Sequence, residues 1–171
     1  MDGETHSDYR GYRADSPATH KPGLRQRMRI LGFNRVELIV GEDEIEPAVR
    51  QFNELLGLNL PQPHKIQSSP VLSATDFDGF IEFVAPVGGE GNFGKRLAEH
   101  GPGQIGPLVW EIDDVDSARE WLRERDFKIL FEYDSSTGNA DEAAAHVYQL
   151  ILDPTQWFGF HVTLMQRSVN Q

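Results

Sequence analysis

Apolar and polar residues alternate in the stretch "FNRVELIV", which spans residues 33–40. One set of alternate positions is apolar and consists of Val36, Leu38 and Val40. Arg35 and Glu37 occupy the other set together with Ile39. Because successive side chains of a β-strand point to opposite faces, the pattern predicts a strand that presents Arg35 and Glu37 on the same side. That side either meets water or lines an enclosed cleft.

The residues that follow show helical spacing. In "GEDEIEPAVRQFNELLGL" the apolar positions are Ile45, Val49, Phe52 and Leu56. Asp43 and Glu46 have the spacing of a capping box, and Gly57 is a typical helix stop. The pattern therefore predicts that an amphipathic helix follows the first strand.

Two more strands and a shorter helix complete the first half of the chain. The strand candidates are "VLSATDF" and "GFIEFVAP", joined through the turn-like "DFDG". A short helix is predicted over "NFGKRLAEH", and "GPGQIGP" then interrupts regular structure. The glycine-rich "VGGEGNFGKR" does not match G-x-x-x-x-G-K-[ST], so we reject a nucleotide-binding loop there.

The order of elements then recurs in the second half. A strand "PLVWEI" precedes a helix in "VDSAREWLRERD", which Asp113 or Asp114 can cap. Further strands are predicted over "FKILFEY", "HVYQLIL" and "FGFHVTLM", with the turn "DPTQ" before the last one. The chain thus contains the order β-α-β-β twice, and one further short strand fits in each half. Since a doubly wound parallel sheet needs helices between most strands, the pattern favours an α+β fold made of two sheet modules.

Composition narrows the functional classes. The 171 residues carry a net charge of −11 and include no cysteine. This acidic balance argues against nucleic acid and anionic membranes as partners, because both are bound through clustered Lys and Arg. The lack of cysteine excludes disulfides and thiolate metal sites. No apolar run approaches the roughly 20 residues of a membrane span, and we expect a cytoplasmic protein.

The domain boundaries follow from the same pattern. Residues 1–27 are polar and lack periodicity, which predicts a disordered N-terminal tail. We expect a single domain over residues 28–167 and a short tail at 168–171. Within the domain we expect a first module at about 28–87, a connector at 88–104 and a second module at 105–167.

Two segments carry a resemblance to a known superfamily. They are "IEFVAPVGGEGNFGKRLAEHGPGQIGPLVWEIDDVDSA" and the terminal "LDPTQWFGFHVTL". The first resembles the vicinal-oxygen-chelate superfamily, which includes glyoxalase I, bleomycin-resistance proteins, extradiol dioxygenases and methylmalonyl-CoA epimerase. Its strand with a Glu, short helix, Gly-x-Gly turn and Asp-Asp are most similar to the epimerase-like branch, and the second segment looks like the last hairpin of the superfamily. The resemblance covers residues 30–166 and implies two βαβββ modules that form a cupped, open barrel-like sheet around a cleft.

The resemblance also implies where a metal would be held. In the metal-dependent members, four cleft residues bind a divalent cation that acts as a Lewis acid. These positions fall on Arg35, on Glu82, on Pro107 and on a residue of the last strand. That last residue is Thr163 if the hairpin has the epimerase-like length, and Phe160 or His161 if the turn is shorter. Because Arg cannot ligate a cation and Pro has no side-chain donor, we expect no metal and no other cofactor. A rearranged metal site would have to use Glu82 and His161, with Glu37 or Glu111 as a further candidate ligand.

For the function, the resemblance implies a small-molecule ligand. We expect a metal-independent isomerase, epimerase or lyase-type enzyme that acts on a carbonyl or acyl compound. Arg35 would stabilise developing negative charge, Glu82 would orient Arg35, and a proton would be moved by His161, Glu37 or Glu111. Expected ligand contacts are Arg35, Trp110, Tyr148, Phe160 and Thr163.

Two alternatives stay open at this point. The chain could be a non-catalytic protein that binds or sequesters a small molecule, as the bleomycin-resistance members do. Arg35 and Glu82 could also form a structural salt bridge that fills a former metal site. A homodimer is expected in every case, because two-module members of the superfamily commonly dimerise.

Overall fold

The computed structural model describes residues 28–66, 69–137 and 146–168. Its strands are β1 (Ile30–Ile39), β2 (His64–Lys65), β3 (Val71–Asp76), β4 (Ile81–Pro86), β5 (Gln104–Ile112), β6 (Ile129–Asp134), β7 (His146–Leu152) and β8 (Val162–Ser168). Its helices are α1 (Ile45–Leu56), α2 (Gly91–His100) and α3 (Val115–Arg123). The tail predicted over residues 1–27, most of the tail at 168–171 and most of the predicted loop before β7 lie outside the described residues.

The eight strands form one sheet in the order β2-β3-β4-β1-β5-β8-β7-β6. Each half of the sheet is a βαβββ module, since β1, α1 and β2 to β4 form one half and β5, α3 and β6 to β8 form the other. β1 runs parallel to β4 and β5 runs parallel to β8, while β1 and β5 pair antiparallel and join the modules. The predicted α+β fold of two βαβββ modules in a curled half-barrel is confirmed. The extra short strand of the first half is β2.

Helix α1 packs on one face of the first module, which we call the outer face. Ile45 and Val49 of α1 are buried against Phe83 and Ala85 of β4. The helix ends as predicted at Gly57, whose φ of 68° allows its N–H to bond to the carbonyl of Asn53.

The predicted capping box of α1 is wrong. The N-cap is Glu44, not Asp43, and no side chain caps the first turn. The Glu44 carboxylate instead accepts a hydrogen bond from the backbone N–H of Gly41 at 2.7 Å, which tightens the turn before the helix and moves the helix start by one residue.

Helix α3 covers the outer face of the second module. Its N-cap is Asp114, whose carboxylate accepts from the backbone N–H of Ser117 at 2.6 Å. The second core is formed by Ile112, Ala118, Leu122, Leu150, Leu152 and Leu164. Asp113, the other predicted cap, accepts instead from the backbone N–H of Arg29 at 2.8 Å.

Helix α2 packs on the opposite face of the sheet, which we call the inner face. Phe93 and Leu97 contact a small apolar cluster of Ile39, Val71 and Val84. These are inner-face positions, because their strand neighbours Leu38, Leu72 and Ala85 belong to the core under α1. The inner face therefore has an apolar end beneath α2 and a polar centre at Arg35 and Glu37.

The glycine-rich segment before α2 is a tight turn. Gly88, Gly89 and Gly91 all have positive φ angles between 61° and 72°. A Cβ on Gly94 would lie only 1.9 Å from the carbonyl oxygen of Gly89. Both features require glycine for backbone geometry. None of the helices in the described part of the chain is long and apolar enough to cross a membrane.

Candidate functional site

A buried ion pair lies at the centre of the inner face. Arg35 on β1 donates from Nε to Oε2 of Glu82 on the neighbouring strand β4. The two residues are only 6% and 5% exposed, so water screens the pair poorly. The other oxygen of Glu82 accepts from the hydroxyl of Ser73 on β3.

Glu37 is the third charged member of this group. It is the direct strand partner of Glu82, and its Oε1 lies 3.4 Å from Nη2 of Arg35. Burial and then the charge of Glu82 raise the pKa of Glu37 to about 8, although Arg35 acts in the opposite direction. Burial lowers the pKa of Arg35, but the carboxylates of Glu82 and Glu37 outweigh it and the net direction is upward. Glu37 is therefore largely protonated at pH 7.

A β-bulge adds two polar side chains to the group. The pairing of β1 with β5 shifts between Phe33 and Arg35, which turns Asn34 inward and buries it. Asn34 accepts from Nη1 of Arg35 at 2.8 Å and donates to Glu111 at 3.2 Å. Glu111 is thus connected to Arg35 through Asn34, a residue that the alternation in the sequence did not indicate.

Strand β8 supplies the far side of the polar centre. Met165 accepts a weak hydrogen bond from Nη1 of Arg35 at 3.4 Å. Thr163 is 1% exposed and pairs with Val109, which in turn pairs with Arg35. Its hydroxyl has no hydrogen-bond partner among the described residues. Of the three residues considered for the last-strand position, Thr163 is the one that lies in register with Val109 and Arg35 across the three strands.

Phe77 and Arg167 lie over the same region and were not predicted from the sequence. The Phe77 ring is 5.9 Å from the guanidinium carbon of Arg35 and 5.1 Å from that of Arg167. Phe77 belongs to the turn between β3 and β4 and is 44% exposed. An exposed ring beside two guanidinium groups can stack on a planar ligand, and the guanidinium groups can bind an anionic one.

His161 lies at the α2 end of the inner face. It precedes β8, and its backbone carbonyl accepts from the N–H of Leu108 at 2.8 Å. Burial, and then the positive charge of Arg96, lower the pKa of its imidazole. Within the described residues, no hydrogen bond or ion pair links His161 to Arg35, Glu37 or Glu82.

The predicted aromatic ligand contacts need correction. Tyr148 packs with the core under α3, donates to Glu132 at 2.6 Å and accepts from Arg119 of α3 at 3.1 Å, so it faces outward. Trp110 also faces outward, because its strand neighbours Val109 and Glu111 point inward. Phe160 is 62% exposed in the segment before β8. The alternation of a strand fixes which residues share a face but not which face is the inner one, and that is why the prediction failed for Tyr148 and Trp110.

Comparison with solved structures gives the same architecture. A methylmalonyl-CoA epimerase of Mycobacterium tuberculosis matches with a TM-score of 0.65 and 20% identity, over 80% of this chain and 88% of that one. A methylmalonyl-CoA epimerase of Streptomyces coelicolor in complex with 2-nitronate-propionyl-CoA matches with a TM-score of 0.65 and 15% identity, over 83% and 100%. A hypothetical protein of Bacillus halodurans matches with a TM-score of 0.65 and 15% identity, over 85% and 99%. The chain has the vicinal-oxygen-chelate fold. No protein-family model and no curated sequence matches it.

The metal site that this fold implies does not fit the residues present. The four positions carry Arg35, Glu82, Pro107 and Thr163. The Arg35 guanidinium bonds directly to Glu82, the one carboxylate among them, and a fixed cation at this point would repel a divalent ion. His161, the other residue of a rearranged site, lies beside the positive charge of Arg96. Within residues 28–66, 69–137 and 146–168, no group of three or more His, Asp or Glu side chains is arranged to hold a metal ion.

Proposed function

We propose that the chain is a metal-independent enzyme of the isomerase or epimerase type that moves a proton next to the carbonyl of an acyl compound. The observation that carries the proposal is the convergence of Arg35 with two buried carboxyl groups, Glu37 and Glu82. Such a group combines a fixed positive charge with a proton acceptor whose pKa lies close to neutrality.

Each member has a distinct part in the proposed reaction. Glu82 orients Arg35 through Nε, and Asn34 holds Nη1. The contact of Nη2 with Glu37 is long at 3.4 Å, and it weakens further when Glu37 is protonated. Nη2 is thus the guanidinium nitrogen best able to donate to a ligand oxygen, and it would stabilise negative charge that develops on a carbonyl.

Glu37 is the proposed general base. In its ionised form it accepts a proton from the carbon next to the carbonyl, and the electron pair moves onto the oxygen that faces Arg35. Return of a proton to the same carbon completes an isomerisation. Glu111 is the candidate for that second transfer, because it lies on the inner face and Asn34 links it to Arg35.

The solved structures support an acyl thioester as the ligand class. Two of the three solved structures described above are methylmalonyl-CoA epimerases, and one of these binds 2-nitronate-propionyl-CoA. At 15% to 20% identity, they support the choice of acyl-CoA compounds as the first substrates to test.

The alternative is a protein that binds a small molecule without reacting with it. The arrangement of Phe77 with Arg35 and Arg167 favours this alternative, because a ring and two guanidinium groups can hold a planar anionic ligand by stacking and charge, without acid–base chemistry. The alternative also agrees with the contacts that Arg35 already makes to Glu82, Asn34 and Glu37, because a guanidinium with several partners has fewer donors left for a reacting group.

Deuterium exchange separates the two functions. The protein is incubated in D₂O with a panel of acyl-CoA compounds, and incorporation at the carbon next to the thioester carbonyl is followed by mass spectrometry. We expect exchange that Glu37→Gln slows by about 10²-fold or more, with ligand binding retained. The exposed Glu46→Gln on α1 is the matched control and keeps the wild-type rate. Binding without exchange for every compound in the panel would contradict the enzymatic function and favour the binding protein.

A further inference from the structure

Arg96 on α2 has an unused donor at the end of the inner face. Its Nη2 donates to the backbone carbonyl of Ile105 on β5 at 3.0 Å, which fixes the guanidinium against the sheet. Its Nη1 is buried and has no hydrogen-bond partner among the described residues. A buried guanidinium nitrogen without an acceptor is unfavourable, so this atom is available to an acceptor that a ligand supplies.

Thr163 is a second, independent group of this kind. The side chain is 1% exposed, it lies on the inner face of β8, and its hydroxyl has no partner in the part of the chain that the structure describes. Its neighbour Leu164 belongs to the core under α3, so Thr163 cannot turn towards that face without leaving its strand position.

His161 connects these two groups. It precedes Thr163 by two residues and lies beside β5, where Leu108 donates to its carbonyl. Its imidazole is close enough to Arg96 for the positive charge to lower its pKa, and the neutral ring has one N–H to donate. Along β8, the inner face thus carries Met165 in contact with Arg35, then Thr163, then His161 next to Arg96.

We propose that Arg96, His161 and Thr163 form a second ligand subsite, the α2 subsite, which binds a carboxylate. All three groups can donate hydrogen bonds, and Arg96 adds a full positive charge. The ligand is then an acyl compound with a free carboxylate at the other end, with its acyl oxygen at Arg35 and its carboxylate at the α2 subsite. In a chain with a net charge of −11, an anion needs such a local cation to bind. The assignment of the acyl oxygen to Arg35 rests on the proposed function, whereas the α2 subsite itself does not.

Simple carboxylates test the subsite without any turnover. Calorimetric titration compares dicarboxylates from malonate to adipate with monocarboxylates of equal length, on the full chain. We expect at least one dicarboxylate to bind about tenfold or more tightly than its matched monocarboxylate. Arg96→Gln abolishes this preference. The neighbouring exposed residue of the same helix provides the control, since Lys95→Gln removes one charge and keeps the preference.

The hydroxyl of Thr163 is tested by a matched pair of substitutions. Thr163→Val keeps the shape, removes the donor and weakens dicarboxylate binding by about fivefold or more, whereas Thr163→Ser retains the affinity. If Arg96→Gln does not fold, the ring signal of His161, assigned with His161→Gln, gives an NMR readout on the wild-type chain. It shifts at a lower concentration of the preferred dicarboxylate than of the matched monocarboxylate.

Equal affinity for dicarboxylates and monocarboxylates, no binding of either, or a preference that survives Arg96→Gln overturns the α2 subsite. Exchange activity only with acyl-CoA compounds whose acyl group lacks a carboxylate would also overturn the α2 subsite, while it would leave the proposed function intact. A dicarboxylate preference without deuterium exchange would do the reverse, since the subsite would stand and the enzymatic function would fail.

Discussion

Arg35 and Glu82 form a buried ion pair that connects the two parallel strands β1 and β4 at the centre of the sheet. The Arg35 guanidinium also contacts Glu37, so a single cation balances two carboxyl groups. At neutral pH the group is close to electroneutral because Glu37 is largely protonated.

Removal of Arg35 therefore costs more stability than removal of Glu82. Arg35→Met leaves Glu82 buried without a counter-ion, and we expect the free energy of unfolding to fall by about 3–5 kcal/mol. Glu82→Gln costs less, because Glu37 can ionise and become the partner of Arg35. We expect the double variant, Arg35→Met with Glu82→Gln, to lose less free energy of unfolding than the sum of the two single losses. Urea unfolding at pH 7 measures all three, and strict additivity would show that the two side chains do not depend on each other.

Glu37 makes stability depend on pH. Its pKa is raised from 4.5 to about 8 in the folded chain, so the folded state holds a proton that the unfolded state releases. The resulting stabilisation is fully present below pH 4.5 and is lost as the pH rises to about 8. We expect the free energy of unfolding to decrease across that window, and Glu37→Gln, which cannot ionise, to flatten the decrease. Urea unfolding at half-unit pH steps is the measurement, and identical slopes in both proteins would rule out a raised pKa.

The same ionisation governs the proposed reaction. Only the carboxylate form of Glu37 accepts a proton, so the exchange rate should rise with pH and level off above about 8. The rate is measured in D₂O with one acyl-CoA compound at saturating concentration. A rate that is flat between pH 6 and 9 would assign the proton transfer to another group.

Metal independence is a prediction from the chemistry of Arg35. We expect chelator-treated protein to keep its ligand binding and exchange activity, and added Co²⁺, Ni²⁺, Zn²⁺ or Mn²⁺ to give no increase, because Arg35 holds Glu82 and repels cations. Elemental analysis of protein purified without chelator checks occupancy directly. One bound equivalent of any of these metals would contradict the prediction.

An exposed aromatic patch on the outer face gives a place for the expected homodimer. Phe33, Phe80 and Trp110 lie together, with ring centres 6.4 Å and 5.3 Å from Phe33, and are 37%, 51% and 36% exposed. Such patches often mark interfaces. We expect light scattering to give twice the chain mass of 19.3 kDa, and Phe33→Lys with Trp110→Lys to give the monomer mass. Phe158, which is 96% exposed in a separate turn, is the control, and Phe158→Lys should stay dimeric. A monomeric wild type, or a dimer that survives both lysines, would rule out this interface.

Gly94 fixes the start of α2 against the glycine-rich turn. Gly94→Ala places a methyl group 1.9 Å from the Gly89 carbonyl oxygen, and we expect a loss of about 2 kcal/mol or more. Gly32→Ala is the control, because no atom lies within 4 Å of the added methyl group there. Thermal unfolding compares the two, and an unshifted melting temperature for Gly94→Ala would mean that the turn adapts freely.

Much of the fold could be predicted because its elements have strong periodicity. The alternation around Arg35 and Glu37 predicted β1, and the apolar spacing of α1 and α3 predicted both outer helices. The two-residue strand β2 could only be anticipated as a short extra strand, because it has no periodicity to read. The start of α1 was placed one residue early, since Glu44 bonds to the preceding turn instead of leaving Asp43 to cap the helix.

The candidate site was predictable only in part. Arg35, Glu37, Glu82 and Thr163 were singled out, and the structure brings them to one region. Asn34 was missed because a bulge, which no alternation pattern reveals, turns it inward. Phe77 and Arg96 were missed because their relation to the site depends on how a turn and a connector helix pack over the sheet.

The distant contacts of Arg35 have a consequence for the order in which the protein folds. Arg35 bonds to Glu82, 47 residues away, and to Met165, 130 residues away. Contacts of such sequence separation form late, because the closure of long loops costs entropy before any contact is gained. The contact of Arg35 with Met165 should thus form only after both modules have folded and joined. A chain that ends before β8 would lack the contact of Arg35 with Met165 and would leave that side of the guanidinium without its β8 neighbour.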